Sequence, residues 1–204
     1  MDCEMVTSAH VDLRGKHFNL AGRVVLCEWK DGKAATIIDK FIRRTTEEVD
    51  QALLRKQYRY SRIRMAQLLT GDPLEEVQQL VLSTVRGHTL VTLAGCNDFA
   101  ALGISIPTVT KACVWMELQN EWRKTTYDPV TNAPLSDAPC GLGPIADYLW
   151  PGKYVIDHEC VRDASVTLEI FMHAHDPESG KLDRQRFDPD LVVSGTEYRK
   201  KHRL

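Results

Sequence analysis

The sequence predicts an α/β domain in which a mixed central sheet is flanked by helices. Three observations carry this. Extended, turn-separated segments fill the first 42 residues. From residue 72 a helical segment, an apolar strand and a short helical segment follow in alternation. An amphipathic helix then closes the ordered part of the chain. At 204 residues the chain fits one domain with room for a proper core.

The elements follow in order. The segment holding Asp2 and Glu4 is extended, so these two side chains share a face and Cys3 points to the other. Gly22 to Trp29 reads as a strand, Asp31-Gly32 as a hairpin turn, and Ala34 to Ile42 as the partner strand. Asp72-Pro73 starts a helix, with Asp as cap and Glu75 and Glu76 at the positive end of the dipole. Val77, Leu80, Val81 and Val85 supply its apolar face. Leu90 to Ala94 is a buried strand that hands over to Asp98 and a short segment, Phe99 to Leu102. Tyr127 to Gly143, rich in turn formers, is expected to be an irregular loop. Leu142 to Leu149 forms a short helix closed by Pro151-Gly152. A last helix runs from about Val161 to His173, with Val161, Ala164, Leu168, Phe171 and Met172 on one face. Trp115, Trp122 and Trp150 are expected to be packing residues. The domain is predicted to span 1–176, with 177–204 a polar extension outside the core.

Composition is that of an ordinary globular protein, and the net charge of −2 announces no nucleic-acid partner in bulk. Six widely spaced cysteines without a C-x-x-C pair argue for reduced thiols and against a disulfide framework or zinc site. No apolar run reaches membrane length and no signal peptide is recognisable. A cytosolic or nuclear, reducing location is the expectation.

The chemistry lies in three separated segments: Asp2-Cys3-Glu4, Asn97-Asp98, and His158 through Asp163. Four converging acids repel one another unless cations sit between them, and paired oxygen ligands suit Mg²⁺ or Mn²⁺. Two such ions, about 3.5–4 Å apart with a shared carboxylate, supply what phosphodiester hydrolysis needs. A histidine just ahead of the last acid titrates near working pH and can take a proton from the attacking water.

In these motifs the chain resembles the DEDDh 3′→5′ exonucleases of the DnaQ-like, RNase H-like superfamily. It looks closest to the eukaryotic RNA exonuclease branch that includes the interferon-stimulated and Rex-type enzymes. Asp-Cys-Glu-Met-Val at 2–6 matches the first motif of that branch. Leu90-Val91 through Asn97-Asp98 to Leu102 matches the second. His158, four residues and Asp163, followed by Ala164 and an apolar helix, match the third. The resemblance covers roughly residues 1–173. It implies Asp2, Glu4, Asp98 and Asp163 as ligands of two divalent metal ions (Mg²⁺ or Mn²⁺), with Asp2 bridging both. It implies His158 as general base, and Met5 and Val6 lining the pocket for the 3′-terminal nucleotide with their backbone reaching its terminal hydroxyl. The implied reaction is stepwise release of nucleoside 5′-monophosphates.

The chain departs from the pattern in three places. Thr92-Leu93 replace a usual Gly-His, Ile63-Arg64-Met65 replace a Ser-Gly-Ile turn, and an expected Asp-Thr pair is absent around Thr108 to Lys111. The first motif also opens at residue 2, so either the first strand is short or the chain is part of a longer polypeptide.

Arg55 to Arg64 holds five basic residues, two tyrosines and no acid. It is either a solvated helix face or a track for a nucleic-acid backbone, with Arg55, Arg59 and Arg62 on phosphates and Tyr58 or Tyr60 stacking on a base. Its place between the first two motifs favours contact. The Arg199 to Arg203 cluster is a nuclear address, a nonspecific phosphate contact or a solvated tail, and the tail reading is preferred. The expected partner is single-stranded nucleic acid, RNA rather than DNA. The alternatives are a catalytically silent binding module on the same fold, and the same chemistry on DNA.

Overall fold

The computed structural model describes residues 1–128, 130–154, 158–176 and 178–202. Pro177, at the expected domain break, and Arg203, in the terminal basic cluster, lie outside the described residues. The chain is mixed α/β, as expected, but among the described residues its strands form three small sheets rather than one mixed central sheet.

Strands β1 (Asp2–Val11), β2 (His17–Lys30) and β3 (Lys33–Phe41) form an antiparallel meander in the order β1-β2-β3. Asp31 and Gly32 turn β2 into β3 with φ of 51° and 75°, the two positive values that a tight two-residue hairpin demands. The helical middle comprises α1 (Gln51–Ser61), α2 (Met65–Leu69) and α3 (Leu74–Val85). Next come β4 (Thr89–Thr92), α4 (Gly95–Leu102), α5 (Ile106–Ala112) and β5 (Val114–Glu117). β4 and β5 pair in parallel, and the Met1 nitrogen donates to the Val91 carbonyl (3.0 Å) where the meander meets them. A hairpin, β6 (Arg123–Tyr127) and β7 (Pro134–Pro139), leads into α6 (Leu142–Leu149), α7 (Cys160–Ala174) and α8 (Gly195–His202).

Helices cover both faces of the meander. Cys3, Val24, Leu26 and Ile38 pack with Val77 and Val81 of α3, Phe99 and Leu102 of α4, and Val109 of α5. On the opposite face Val25 packs against Cys160 and Ala164 of α7. Asp2 pairs with Val25 and Glu4 with Arg23, so both carboxylates stand on the α7 face, while Cys3 is buried on the other. The alternation expected from an extended segment is thus present, and a register shift between Glu4 and Met5 ends it.

Four expectations need correction. Asp72 does not cap α3: Pro73 stands at that position, and the Asp72 carboxylate pairs instead with Lys40 (2.9 Å). Leu80 stays exposed, so the buried stripe of α3 is Val77, Val81 and Val85. Residues 127–143 are not an irregular loop. Residues 123–127 pair with 134–139, and the Asp128 carboxylate accepts from the Val130 and Thr131 amides (2.9 and 2.7 Å) to close the turn. Nor does the segment after residue 177 lie outside the core. Leu182 and Val192 are buried in the cluster built around Trp122, Ile145 and Ile170, and Tyr198 of α8 is buried as well. Its apolar residues are too widely spaced to show a helical period, which hid them.

Trp122 is fully buried and Trp115 and Trp150 pack against the core clusters, in line with the sequence. All six cysteines are free. Among the described residues, no helix is long and apolar enough to cross a membrane.

Candidate active site

Each of the three motif segments is delivered by a different element. β1 brings Asp2 and Glu4, α4 brings Asp98, and the entry to α7 brings His158 and Asp163. Both helices are entered through a left-handed residue: Ala94 (φ 66°) leads into α4, and His158 (φ 59°) precedes the cap of α7. A non-glycine residue held there is strained, and the surroundings must enforce it. At Ala94 they do so through Glu117. Its carboxylate accepts from the Ala94 and Gly95 amides (2.9 and 2.7 Å) and from the Thr92 hydroxyl (3.0 Å). Thr92 in turn accepts from the Trp115 indole (2.8 Å). A side chain at position 95 would collide with Thr92, its Cβ falling 2.3 Å from Oγ1, so only glycine fits this turn.

Glu159 has the matching task at α7. Its carboxylate accepts from the Arg162 amide (2.9 Å) as an N-cap and pairs with Arg23 (3.1 Å), the residue opposite Glu4 on β2. Arg23 is held in turn by Asp39 through two bonds of 2.8 and 2.9 Å. The start of α7 is thereby tied to the strand beside Glu4. The buried stripe of α7 includes Cys160, Asp163, Ala164, Thr167, Ile170, Phe171 and Ala174. It is turned about one residue from the stripe predicted, because the small residues at 160, 164 and 174 let the helix lie close to the sheet. That turn carries Asp163 inward.

The acids sense one another through a poorly hydrated environment. Burial raises Asp2 above the usual carboxylate range, against the opposing pull of the Cys160 thiol and of His158. The same thiol donates to the Asp2 carbonyl (3.4 Å). Burial and the charge of Asp2 push Glu4 up to about 8, with Arg23 opposing. Asp98, also buried and also facing Asp2, is likewise pushed up to about 8. Among the described residues its buried Oδ2 has no hydrogen-bond partner.

His158 and Asp163 line a cleft of about 500 Å³. Its other walls include Arg59, Tyr60 and Arg62 at the end of α1, Gly141 to Pro144 at the start of α6, and Tyr198 and Arg199 of α8. The His158 ring meets the Tyr60 ring edge-on at 5.9 Å, and the Arg59 guanidinium lies 4.4 Å over the same tyrosine.

Two further groups of predicted contacts are not among the residues that line this cleft. The Val6 side chain is buried among Leu54, Ile63 and Leu68, so only its backbone can face a ligand; Met5 is half-buried against the core. Arg55 and Tyr58 line a separate cavity with Arg64, whose guanidinium donates to the Tyr58 hydroxyl (2.7 Å). Helical spacing does not separate them, since 55, 58, 59 and 62 fall on one stripe. Arg64 draws Tyr58 into its own cavity, Arg59 lies over the Tyr60 ring toward the cleft, and Arg62 stands past the helix end in the left-handed cap. Sequence reasoning missed Glu117 and Arg23, and it set Arg199 aside as part of a solvated tail. The first two act through strand register (Thr92 opposite Glu117, Glu4 opposite Arg23), which the local pattern does not encode.

The residues fit divalent cations by their chemistry: clustered oxygen donors, costly to ionise as they stand, one with an orphaned buried oxygen. Among the described residues, however, no three His, Cys, Asp or Glu side chains form a ready cage. Comparison with protein-family models and with curated proteins returns no match.

Proposed function

We propose that this chain is a metal-dependent 3′→5′ exonuclease of the DEDDh type on an RNase H-like fold, acting on single-stranded ends and on RNA in preference to DNA. The observation that carries the reading is the meeting of three distant segments. Asp2 lies within electrostatic reach of Glu4, Asp98 and His158, and His158 shares its cleft with Asp163. An antiparallel meander beside a parallel β4–β5 pair, with helices on both faces, supports the fold. The letter-for-letter first motif supports RNA.

Asp2, Glu4, Asp98 and Asp163 would hold two Mg²⁺ or Mn²⁺ ions, which supply a water of lowered pKa and offset charge on the phosphoryl and leaving oxygens. The chain's own groups do the rest. His158, exposed on the cleft, takes the proton of the attacking water. Tyr60 limits the orientation of the His158 ring by its edge-on contact. Arg59 and Arg62 face the same cleft and offset the phosphate charge of the bound strand.

The test is digestion of matched 5′-labelled single-stranded RNA and DNA with Mg²⁺, Mn²⁺ or EDTA, beside Asp2→Ala. A metal-dependent ladder shortening from the 3′ end, faster on RNA and absent in the variant, is expected. RNA binding without cleavage under any metal would make the chain a binding module instead.

A further inference from the structure

The cleft beside His158 has a wall that the motifs do not account for. Of the basic C-terminal cluster, Arg199 lines this cleft, whereas Lys200, its exposed neighbour on α8, does not. The helix that carries Arg199 is fixed in place. The Tyr198 ring packs onto Gly143 so closely that a Cβ there would fall 2.5 Å from Cε1. Lys201 pairs with the buried Asp147 of α6 at 2.7 Å, and His202 Nε2 lies 3.5 Å from the same carboxylate. A tail without function would not need both a glycine-sized seat and a buried acid to hold it.

We propose that Arg199 is a substrate-binding residue: with Arg59 and Arg62 it binds the phosphate backbone of a single strand whose 3′ end lies at His158 and Asp163. Asp147 is its positioning residue. This rests on the exonuclease reading for the direction of the strand. Three guanidinium groups surround a cleft with apolar and aromatic lining from Tyr60, Leu142, Pro144 and Tyr198. Such a surface suits a polyanion carrying stackable bases, and about 500 Å³ is room for roughly one nucleotide.

The experiment measures binding apart from hydrolysis. A fluorescein-labelled oligouridylate of 12 nucleotides is titrated by anisotropy in EDTA at several salt concentrations, and turnover of thymidine 5′-p-nitrophenyl phosphate with Mn²⁺ is followed separately. Arg199→Ala should weaken oligomer binding roughly 3- to 10-fold at low salt and flatten the log Kd–log salt slope by about 0.7. Because the small ester occupies the same cleft, Arg199→Ala should raise its KM with kcat nearly unchanged, whereas Lys200→Ala should move neither. Arg199→Lys should recover most of the binding, and Lys200→Ala should change nothing. Asp147→Asn, which adds net positive charge, should nevertheless weaken binding, because α8 is no longer held. Equal losses for Arg199→Ala and Lys200→Ala, or none for either, would overturn the proposal. So would tighter binding by Asp147→Asn. An inactive wild type that still distinguishes Arg199 from Lys200 would sink the exonuclease reading and leave this one standing.

Discussion

Asp2, Glu4 and Asp98 sit on β1 and α4, elements packed into the core, whereas Arg59, Tyr60, Arg62 and Arg199 stand exposed at the end of α1 and on α8. The two halves of the site therefore hold their charge under different terms. In the acidic half burial dominates, and Glu4 and Asp98 are both driven up to about 8. In the basic half water screens each guanidinium, so that half answers to ionic strength. Metal and pH should act on the first half, salt on the second.

The largest effect expected is the loss of turnover in Asp2→Ala or Asp163→Ala, to below detection, with far-UV circular dichroism unchanged. Retained activity in Asp163→Ala would break the two-metal reading. His158→Ala should slow turnover about 10²- to 10⁴-fold, as removal of a general base does. Its Mn²⁺ binding by calorimetry should survive, since the histidine is not a ligand. Loss of metal binding in that variant would move His158 into the coordination sphere and blur the division of roles.

Much of the acidic half was legible in the sequence, and little of the basic half. Alternation in an extended segment sufficed to place Asp2 and Glu4 on one face, because a strand's period is two whatever it packs against. The meander and α7 followed from turn chemistry and period. Partitioning Arg55 to Arg64 needed the side-chain contacts of Arg64 with Tyr58 and of Arg59 with Tyr60, because 55, 58, 59 and 62 share one helical stripe and spacing alone does not divide them. α8 was hidden for another reason. Only Tyr198 of its eight residues is buried, and the acid that holds the helix, Asp147, lies 54 residues from its partner Lys201.

Stability should show the next effect. Glu4 and Asp98 titrate near 4.5 and 3.8 when unfolded and near 8 when folded and metal-free. A raised folded pKa means that the folded state holds protons the unfolded state has released. Stability is then fully present below about pH 4 and is lost as pH rises through about 8. With EDTA, Tm should fall by several degrees between about pH 5 and 8.5, at roughly 2–4 °C per kcal/mol for a chain of this size. Mg²⁺ should flatten that fall, and Asp98→Asn should remove part of it without metal. A Tm independent of pH in EDTA would mean that the acidic half is better hydrated than its burial suggests.

In the basic half, Arg59→Ala with Arg62→Ala should flatten the salt slope of RNA binding by about 1.4, two phosphate contacts on a single strand. Arg55→Ala should leave it alone, because Arg55 faces the separate cavity with Tyr58 and Arg64. A slope that responds equally to all three arginines would return α1 to a diffuse electrostatic role.

The smallest effect tests the seam between the halves. Glu159 caps α7 and ties it to Arg23 beside Glu4, yet its carboxylate is about one-third exposed (34%). Exposed ion pairs contribute little, so the cap should dominate. Glu159→Gln keeps an oxygen able to accept from the Arg162 amide and loses the charge, and should cost only tenths of a kcal/mol; Glu159→Ala loses both, and should cost about 1 kcal/mol. If the two variants lower Tm equally, the link to Arg23 rather than the cap fixes the start of α7. In that case turnover should fall with Arg23→Gln as well, because Asp163 is carried to the acids by the same turn of helix.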